Sequence, residues 1–217
     1  MLKESTYQTP CGTIHYWSSI LSLDTTTLVF LPGLTADHRL FDKQVKYFEG
    51  KYNVIVWDAP AHASSWPFRL DFDLFDKAKW LNGIFEKEEI IKPIIIGQSM
   101  GGYVGQAYAQ LYPDRLAGFI SIDSAPLQRN YVTAVEIWLL KRMEPVYAHY
   151  PWKLLLKSGT EGVATSNYGR NLMKEMMLVY DGDQHRYAQI AGHGFRILAE
   201  AMEMDLPYEI KCPSLLI

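Results

Sequence analysis

Residues 97 to 101, Gly-Gln-Ser-Met-Gly, are the part of this sequence best suited to chemistry. They follow the apolar run 94–96 directly and precede apolar residues at helical spacing. A glycine on either side of the serine permits the tight strand-to-helix turn that exposes a serine hydroxyl for nucleophilic attack. We therefore predict Ser99 as a nucleophile, and the backbone N–H of Met100, at the helix start, as a donor to the developing oxyanion. The alternative interpretation is a glycine-rich turn around an unreactive serine.

The elements that would position Ser99 alternate between strand and helix. Four fully apolar runs indicate strands buried on both faces of a parallel sheet, and they cover residues 28–31, 54–57, 94–96 and 116–122. The helices predicted between them cover residues 40–48, 74–85 and 104–111. Such alternation predicts βαβ units. Before them, two short β-prone runs joined at Pro10-Cys11-Gly12 predict an antiparallel hairpin.

The stretch 124–209 lacks a comparable apolar run and is predicted to form a helical cap inserted into the core. Helical stripes run from Leu172 to Tyr180, rich in methionine, and from Ile190 to Ala201. Ordinary core packing and a lipophilic substrate wall are both open interpretations of these stripes. The predicted organisation is a core domain over 1–123, the cap over 124–209 and a return to the core over 210–217, which ends in an apolar strand.

Composition excludes several classes of function. The chain has 217 residues, and its 21 Lys and Arg against 24 Asp and Glu give a formal net charge of −3, unlike the basic surface of a nucleic-acid-binding protein. The apolar runs are far shorter than the roughly 18 residues of a membrane span, and the N-terminus does not resemble a signal peptide. Cys11 and Cys212 are far apart and predict neither a metal site nor a disulfide framework, so we expect a cytoplasmic location.

The motifs together resemble the α/β-hydrolase fold family, in its serine esterase and lipase-like branch, from the opening hairpin to Ile217. Residues 30–34, Phe-Leu-Pro-Gly-Leu, resemble the family's His-Gly loop with Pro32 in place of the histidine, which implies the N–H of Leu34 as the second oxyanion donor. Residues 58–65, Asp-Ala-Pro-Ala-His-Ala-Ser-Ser, are similar to a structural loop of the family and imply that His62 organises that loop. The implied fold is α/β, a mostly parallel sheet with an N-terminal antiparallel hairpin and a helical cap.

The resemblance also implies a catalytic acid and a histidine that follow the serine along the chain. Residues 211–217 resemble the family's seventh strand, after which both groups normally come, so we expect them beyond Ile217 and expect the C-terminal strand and helix to be absent from this truncated sequence. Asp123, at the end of the predicted sixth strand, is the best internal acid, with local capping as the alternative role. His193 is the internal candidate base. None of the six histidines matches the family's position; they are His15, His38, His62, His149, His185 and His193.

The expected function is that of a serine hydrolase, in the carboxylic ester hydrolase class, that cleaves small or medium acyl esters through an acyl-enzyme on Ser99. Its partner is a small-molecule acyl substrate, and the chemistry needs no cofactor. Thioesterases, carbon–carbon bond hydrolases and cofactor-free peroxidases share a serine at this turn and remain open, whereas dehalogenases and epoxide hydrolases have aspartate there. The class alternative is an inactive remnant or a ligand-binding pseudoenzyme. The apolar strand at 214–217 also predicts self-association or aggregation through the sheet edge.

Overall fold

The computed structural model describes residues 2–217, and their strands form one seven-stranded sheet. The strands are β1 (Lys3–Gln8), β2 (Thr13–Ser19), β3 (Thr27–Leu31), β4 (Asn53–Trp57), β5 (Ile94–Gln98), β6 (Gly118–Ile122) and β7 (Ser214–Leu216). Their order across the sheet is β1-β2-β4-β3-β5-β6-β7. The β1–β2 and β2–β4 pairs are antiparallel and the others are parallel. The predicted α/β fold with its opening hairpin is confirmed.

Helices cover both faces of the sheet, which explains the fully apolar strands. Along β3, Val29 and Leu31 point into the larger apolar core, while Leu28 and Phe30 point into a smaller one on the opposite face. The α-helices are α1 (Asp42–Phe48), α2 (Leu74–Lys87), α3 (Met100–Leu111), α4 (Ala134–Leu140), α5 (Met143–His149), α6 (Trp152–Glu161), α7 (Asn167–Leu178) and α8 (Gln184–Glu203). Helix α1 packs against the smaller core, whereas α2, α3 and α8 contribute to the larger one.

The predicted element boundaries differ from the observed ones where backbone chemistry overrides periodicity. Helix α3 begins at Met100, four residues before the predicted stripe, because the glycines of its first turn give no apolar signal. The predicted helix 40–48 is preceded by a 3-10 turn, His38–Phe41, whose start is capped by the Asp37 carboxylate. Strand β6 begins at Gly118, so Leu116 lies before it.

Helices α4 to α8 occupy the stretch predicted as the cap. Helix α5 packs along α8, and α6 packs along α7. Helix α8 also contacts α2, so the stretch predicted as the cap shares the larger apolar core instead of forming a separate one. A membrane-crossing helix, long and apolar enough for that role, is not found among residues 2–217.

Candidate active site

Ser99 lies at a strained turn between β5 and α3. Its backbone φ and ψ are 50° and −116°, a conformation that a residue with a side chain rarely adopts. Hydrogen bonds hold the turn from both sides: the Ser99 N–H donates to the carbonyl of Ile122 at 2.8 Å, and the Ser99 carbonyl accepts from the N–H of Gly102 at 2.9 Å. Because such strain persists only where the surroundings enforce it, the turn is typical of a functional position.

The glycines flanking Ser99 are required by close contacts between backbones. A Cβ atom on Gly97 would lie 2.4 Å from the carbonyl of Gly101, and a Cβ on Gly101 would lie 1.9 Å from the carbonyl oxygen of Leu31. Gly33 approaches the same turn, since a Cβ there would lie 3.3 Å from Cβ of Ser99. The three glycines therefore bring the β3 loop directly beside the serine.

Two cavities meet at Ser99. The first, of about 350 Å³, is lined by α5, α6, α7 and α8, and the second, of about 450 Å³, is lined mainly by α3, α4 and α8. Ser99, Leu34 and Phe195 line both of them. Leu34 and Met100, the two predicted oxyanion donors, both line the second cavity with Ser99. The structure therefore brings the three residues together, while their catalytic roles stay predictions.

The methionine-rich stripe from Leu172 to Tyr180 fits both of its predicted interpretations, core packing and a cavity wall. Met173 and Met177 line the first cavity beside Ser99. Met176 and Tyr180 are buried, and the Met176 sulfur lies 3.5 Å from the backbone N–H of Asp37. Met177 is also buried in the larger apolar core, so the same part of the chain contributes both to the cavity wall and to the core.

The acid and base considered within the chain line neither cavity, although Asp123 follows Ile122, whose carbonyl accepts from the Ser99 N–H. Among the residues that the structure describes, no histidine lines either cavity. Asp123 is exposed, and its N–H donates to the carbonyl of Ile217. Glu136 lines the second cavity, but its carboxylate is engaged by Thr133 in the cap of α4. Residues 2–217 therefore place no histidine next to the hydroxyl of Ser99.

His62 and His193 belong instead to a buried basic cluster with Lys77. Nδ1 of His62 donates to the carbonyl of Pro60 at 2.9 Å, in agreement with the predicted loop-organising role. Nδ1 of His193 lies 2.8 Å from a guanidinium nitrogen of Arg196 and accepts its hydrogen bond. Burial and the nearby Lys77 lower the pKa of both imidazoles to about 3, so both are neutral. Burial lowers the pKa of Lys77 to about 8.

The sequence did not reveal the pair that half-buried His38 forms with buried Asp58. The Asp58 carboxylate accepts hydrogen bonds from Nδ1 of His38 at 2.8 Å and from the N–H groups of His38 and Ser64. Burial opposes both charges, but this pairing outweighs it, raising the pKa of His38 and lowering that of Asp58. His38 also stacks on Trp17 at 3.7 Å. The pair thus connects the loop after β3 with the loop after β4. The sequence signal that points to this pair is Asp58, the first residue of the loop segment 58–65.

Asp37, His38 and Asp58 place possible metal ligands within 4.8 Å of one another. The Asp37 carboxylate accepts hydrogen bonds from the Arg39 guanidinium at 2.9 and 2.6 Å. The Asp58 carboxylate accepts hydrogen bonds from His38 and Ser64. These protein contacts account for both carboxylates without a metal ion.

Comparison with known proteins establishes the family. The sequence model of the alpha/beta hydrolase fold matches residues 26–179, more than half of the chain, so the chain belongs to the α/β-hydrolase fold family. A relative among characterised proteins is the 3-oxoadipate enol-lactonase 2 of Acinetobacter baylyi, 30% identical over 106 residues. That alignment covers 47% of this chain and 38% of the lactonase, so the chain matches well under half of the enzyme's length.

Solved structures of low sequence identity share the fold. Cfl2 from Burkholderia cenocepacia superposes with a TM-score of 0.77 at 14% identity, covering 99% of this chain and 79% of Cfl2. A putative epoxide hydrolase from Pseudomonas aeruginosa has a TM-score of 0.73 at 15% identity, with coverages of 99% and 78%. A putative alpha/beta hydrolase from Nostoc has a TM-score of 0.74 at 17% identity, with coverages of 99% and 80%.

Proposed function

We propose that the chain is a serine hydrolase that cleaves small or medium acyl esters through an acyl-enzyme on Ser99. The observation that carries the proposal is the strained position of Ser99 at the junction of two cavities, which offers separate space for the acyl and leaving groups. Ser99 Oγ attacks the carbonyl carbon, and the N–H groups of Leu34 and Met100 stabilise the oxyanion. The alcohol then leaves, and water hydrolyses the acyl-enzyme. The relative from Acinetobacter baylyi is a lactonase by name, and a lactone is an internal ester.

The catalytic acid and histidine form the second part of the proposal, which assigns them to sequence that follows Ile217. Support comes from the two cavities, whose lining among residues 2–217 includes no histidine. The same observation favours a second candidate function, a ligand-binding protein that keeps the pocket but lacks a working base. Self-association through the β7 edge and a cytoplasmic location complete the proposal.

Hydrolysis of short and medium p-nitrophenyl esters tests the nucleophile. The 217-residue chain, a version extended through any downstream reading frame and their Ser99→Ala variants are compared, with Ser22→Ala in an exposed loop as the control. We expect turnover in the extended chain and its loss by at least about a thousandfold in Ser99→Ala, because the covalent route is removed. Labelling of the extended Ser99→Ala variant by a fluorophosphonate would refute the nucleophile. Turnover by the 217-residue chain that depends on Ser99 would refute the external base, and an inactive extended chain would favour the binding function.

A further inference from the structure

The basic cluster of Lys77, His62 and His193 joins three elements inside the protein. These side chains are 1%, 2% and 4% exposed, and they come from α2, from the loop after β4 and from α8. The Lys77 ammonium lies 5.7 Å from the centre of the Phe72 ring, and the centre of the His193 ring lies 4.4 Å from the same point. The cluster is therefore a compact site beside Phe72 of the larger apolar core.

Polar atoms of the basic cluster lack partners within residues 2–217. Nε2 of His62 and Nε2 of His193 are buried and form no hydrogen bond with these residues. No carboxylate among them offsets the burial of the Lys77 ammonium. Buried polar atoms are nearly always paired, and a buried cation destabilises a protein unless an opposite charge accompanies it. The cluster therefore suits a partner that carries negative charge.

The hydrogen bonds at Nδ1 determine what Nε2 of each neutral imidazole can do. Nδ1 of His62 donates to the Pro60 carbonyl, so its Nε2 carries a lone pair and can accept a hydrogen from Lys77. Nδ1 of His193 accepts from the Arg196 guanidinium, so its Nε2 carries the hydrogen. The cluster thus has two kinds of donor, an ammonium and an imidazole N–H, and both can bind the same anion.

The charged groups around the basic cluster favour an anion as well. Arg186 and Arg196 of α8 add positive charge near His62 and His193. The carboxylate that acts on His62 is that of Asp58, and its oxygens accept hydrogen bonds from other residues, as described above. The positive charge of the cluster is therefore not balanced from within the described chain.

We propose that the basic cluster binds a chloride ion between the Lys77 ammonium and the Nε2–H of His193. The near-complete burial of the cluster favours a monatomic anion over a carboxylate or a phosphate. The cluster lines neither cavity at Ser99, so this ligand is distinct from the substrate of the proposed function. The bound ion joins α2 to α8, the helix that carries Phe195 of both cavities.

Thermal unfolding followed by circular dichroism tests the site when sodium gluconate is exchanged for sodium chloride at constant ionic strength. Gluconate is too large for the buried site, so without halide the Lys77 ammonium has no counter-ion. At pH 7 we expect chloride to raise the Tm of the wild type by at least about 4 °C, because it binds the folded chain alone. Lys77→Met should lose this rise. The matched control Lys79→Met, which removes an exposed ammonium of the same helix, should keep it.

The pH dependence of the chloride effect identifies the group that binds the ion. Burial lowers the pKa of Lys77 to about 8, so without chloride its amine is charged at pH 7 and neutral at pH 10. The chloride concentration that gives a set rise in Tm should therefore be about a hundredfold higher at pH 10. His62 and His193 are neutral at both pH values, so Lys77 is the member of the cluster that titrates between them.

Crystals grown in sodium bromide supply an independent measurement. We expect an anomalous bromide peak in contact with Nζ of Lys77 and Nε2 of His193. A water in that place would overturn the proposal, as would a wild-type Tm that does not respond to chloride or an equal response of Lys77→Met. The pH comparison and the crystals use the wild type, so the test does not depend on the folding of a variant. None of these measurements involves Ser99, so their failure leaves the proposed function intact.

Discussion

The side-chain amine of Lys77 is buried near the neutral imidazoles of His62 and His193. Its side chain is buried, and burial alone accounts for the fall of its pKa to about 8; within residues 2–217 no carboxylate offsets this effect. Its charge in turn helps to lower the pKa of His62 and of His193. A buried ammonium without a carboxylate partner destabilises the folded state. The basic cluster therefore reduces the stability of the fold at neutral pH.

Replacing Lys77 with methionine is expected to stabilise the protein. The pKa of Lys77 is about 8 in the folded chain against 10.5 for a free lysine, so between these values the unfolded chain binds a proton that the folded chain does not. The free energy of unfolding of the wild type should then rise with pH across this window. Lys77→Met should raise that free energy at pH 7 by up to about 3 kcal/mol and should flatten the rise.

Urea denaturation from pH 7 to about pH 10.5 measures both the stabilisation at pH 7 and the rise with pH. The control is Lys79→Met, two residues further along α2, where the ammonium is exposed and pairs with Asp76. This variant should differ from the wild type by no more than about 0.5 kcal/mol. A Lys77→Met variant that is destabilised, or that keeps the wild-type pH dependence, would show that the amine has a favourable partner in solution.

The burial of Lys77 is a feature that the periodicity of the sequence does not predict. The apolar positions of α2 predict its helix and its inward stripe, but they do not predict that a lysine between them is buried. Its burial results from the loop that carries His62 and from α8, which carries His193 more than a hundred positions away. Contacts between residues so far apart in the sequence do not affect the spacing of apolar residues within one helix. The pair formed by His38 and Asp58 was missed for the same reason.

The turn between β5 and α3 depends on the absence of a side chain at Gly101. A Cβ atom there would lie 1.9 Å from the carbonyl oxygen of Leu31, and backbone on both sides leaves it no room to move. Gly101→Ala should therefore destabilise the protein by about 3 kcal/mol or more through forced displacement of β3 or α3. Thermal or urea unfolding measures this change.

Gly118 provides the matched control. It also lies in the sheet, in β6, but a Cβ there would meet its nearest neighbour at 3.5 Å, an ordinary contact. Gly118→Ala should be nearly neutral, within about 1 kcal/mol. Equal losses in the two variants would mean that close packing at the turn is not what requires Gly101.

At the level of elements, the sequence predicts more of the core than of the cap. Strands β3 to β6 are buried on both faces, so their apolar runs predict both their existence and their parallel pairing. The turn at Ser99 could be predicted because a local motif stands there between the correct flanking elements, while the role of Ser99 as nucleophile stays a prediction. The positions of α4 to α8 over Ser99 are set by packing among helices, and periodicity predicts a buried side without saying what covers it. The two cavities are therefore a result of the structure alone.

At the scale of the whole molecule, residues 2–217 leave strand β7 at an exposed edge of the sheet. This strand pairs with β6 on one side, and Leu215, Leu216 and Ile217 are 52%, 69% and 71% exposed. An apolar strand with unpaired backbone groups is a template for another strand. Residues 2–217 thus carry an apolar surface at the β7 edge and another on α4, where Val135, Trp138 and Leu139 are exposed. A partner at the β7 edge can form backbone hydrogen bonds, whereas a partner on α4 contacts only side chains.

We expect the 217-residue chain to self-associate with increasing concentration through the β7 edge. A lysine on an exposed edge strand opposes strand pairing, because pairing would bring like charges together and bury one without a partner. Leu216→Lys should therefore shift the chain towards monomer in sedimentation velocity runs, whereas Ile91→Lys, equally exposed but away from the edge, should associate as the wild type does. If Trp138→Glu dissociates the oligomer and Leu216→Lys does not, the contact is made by helix side chains and the sheet edge stays unpaired. A wild-type chain that remains monomeric as its concentration rises would show instead that the β7 edge does not template pairing.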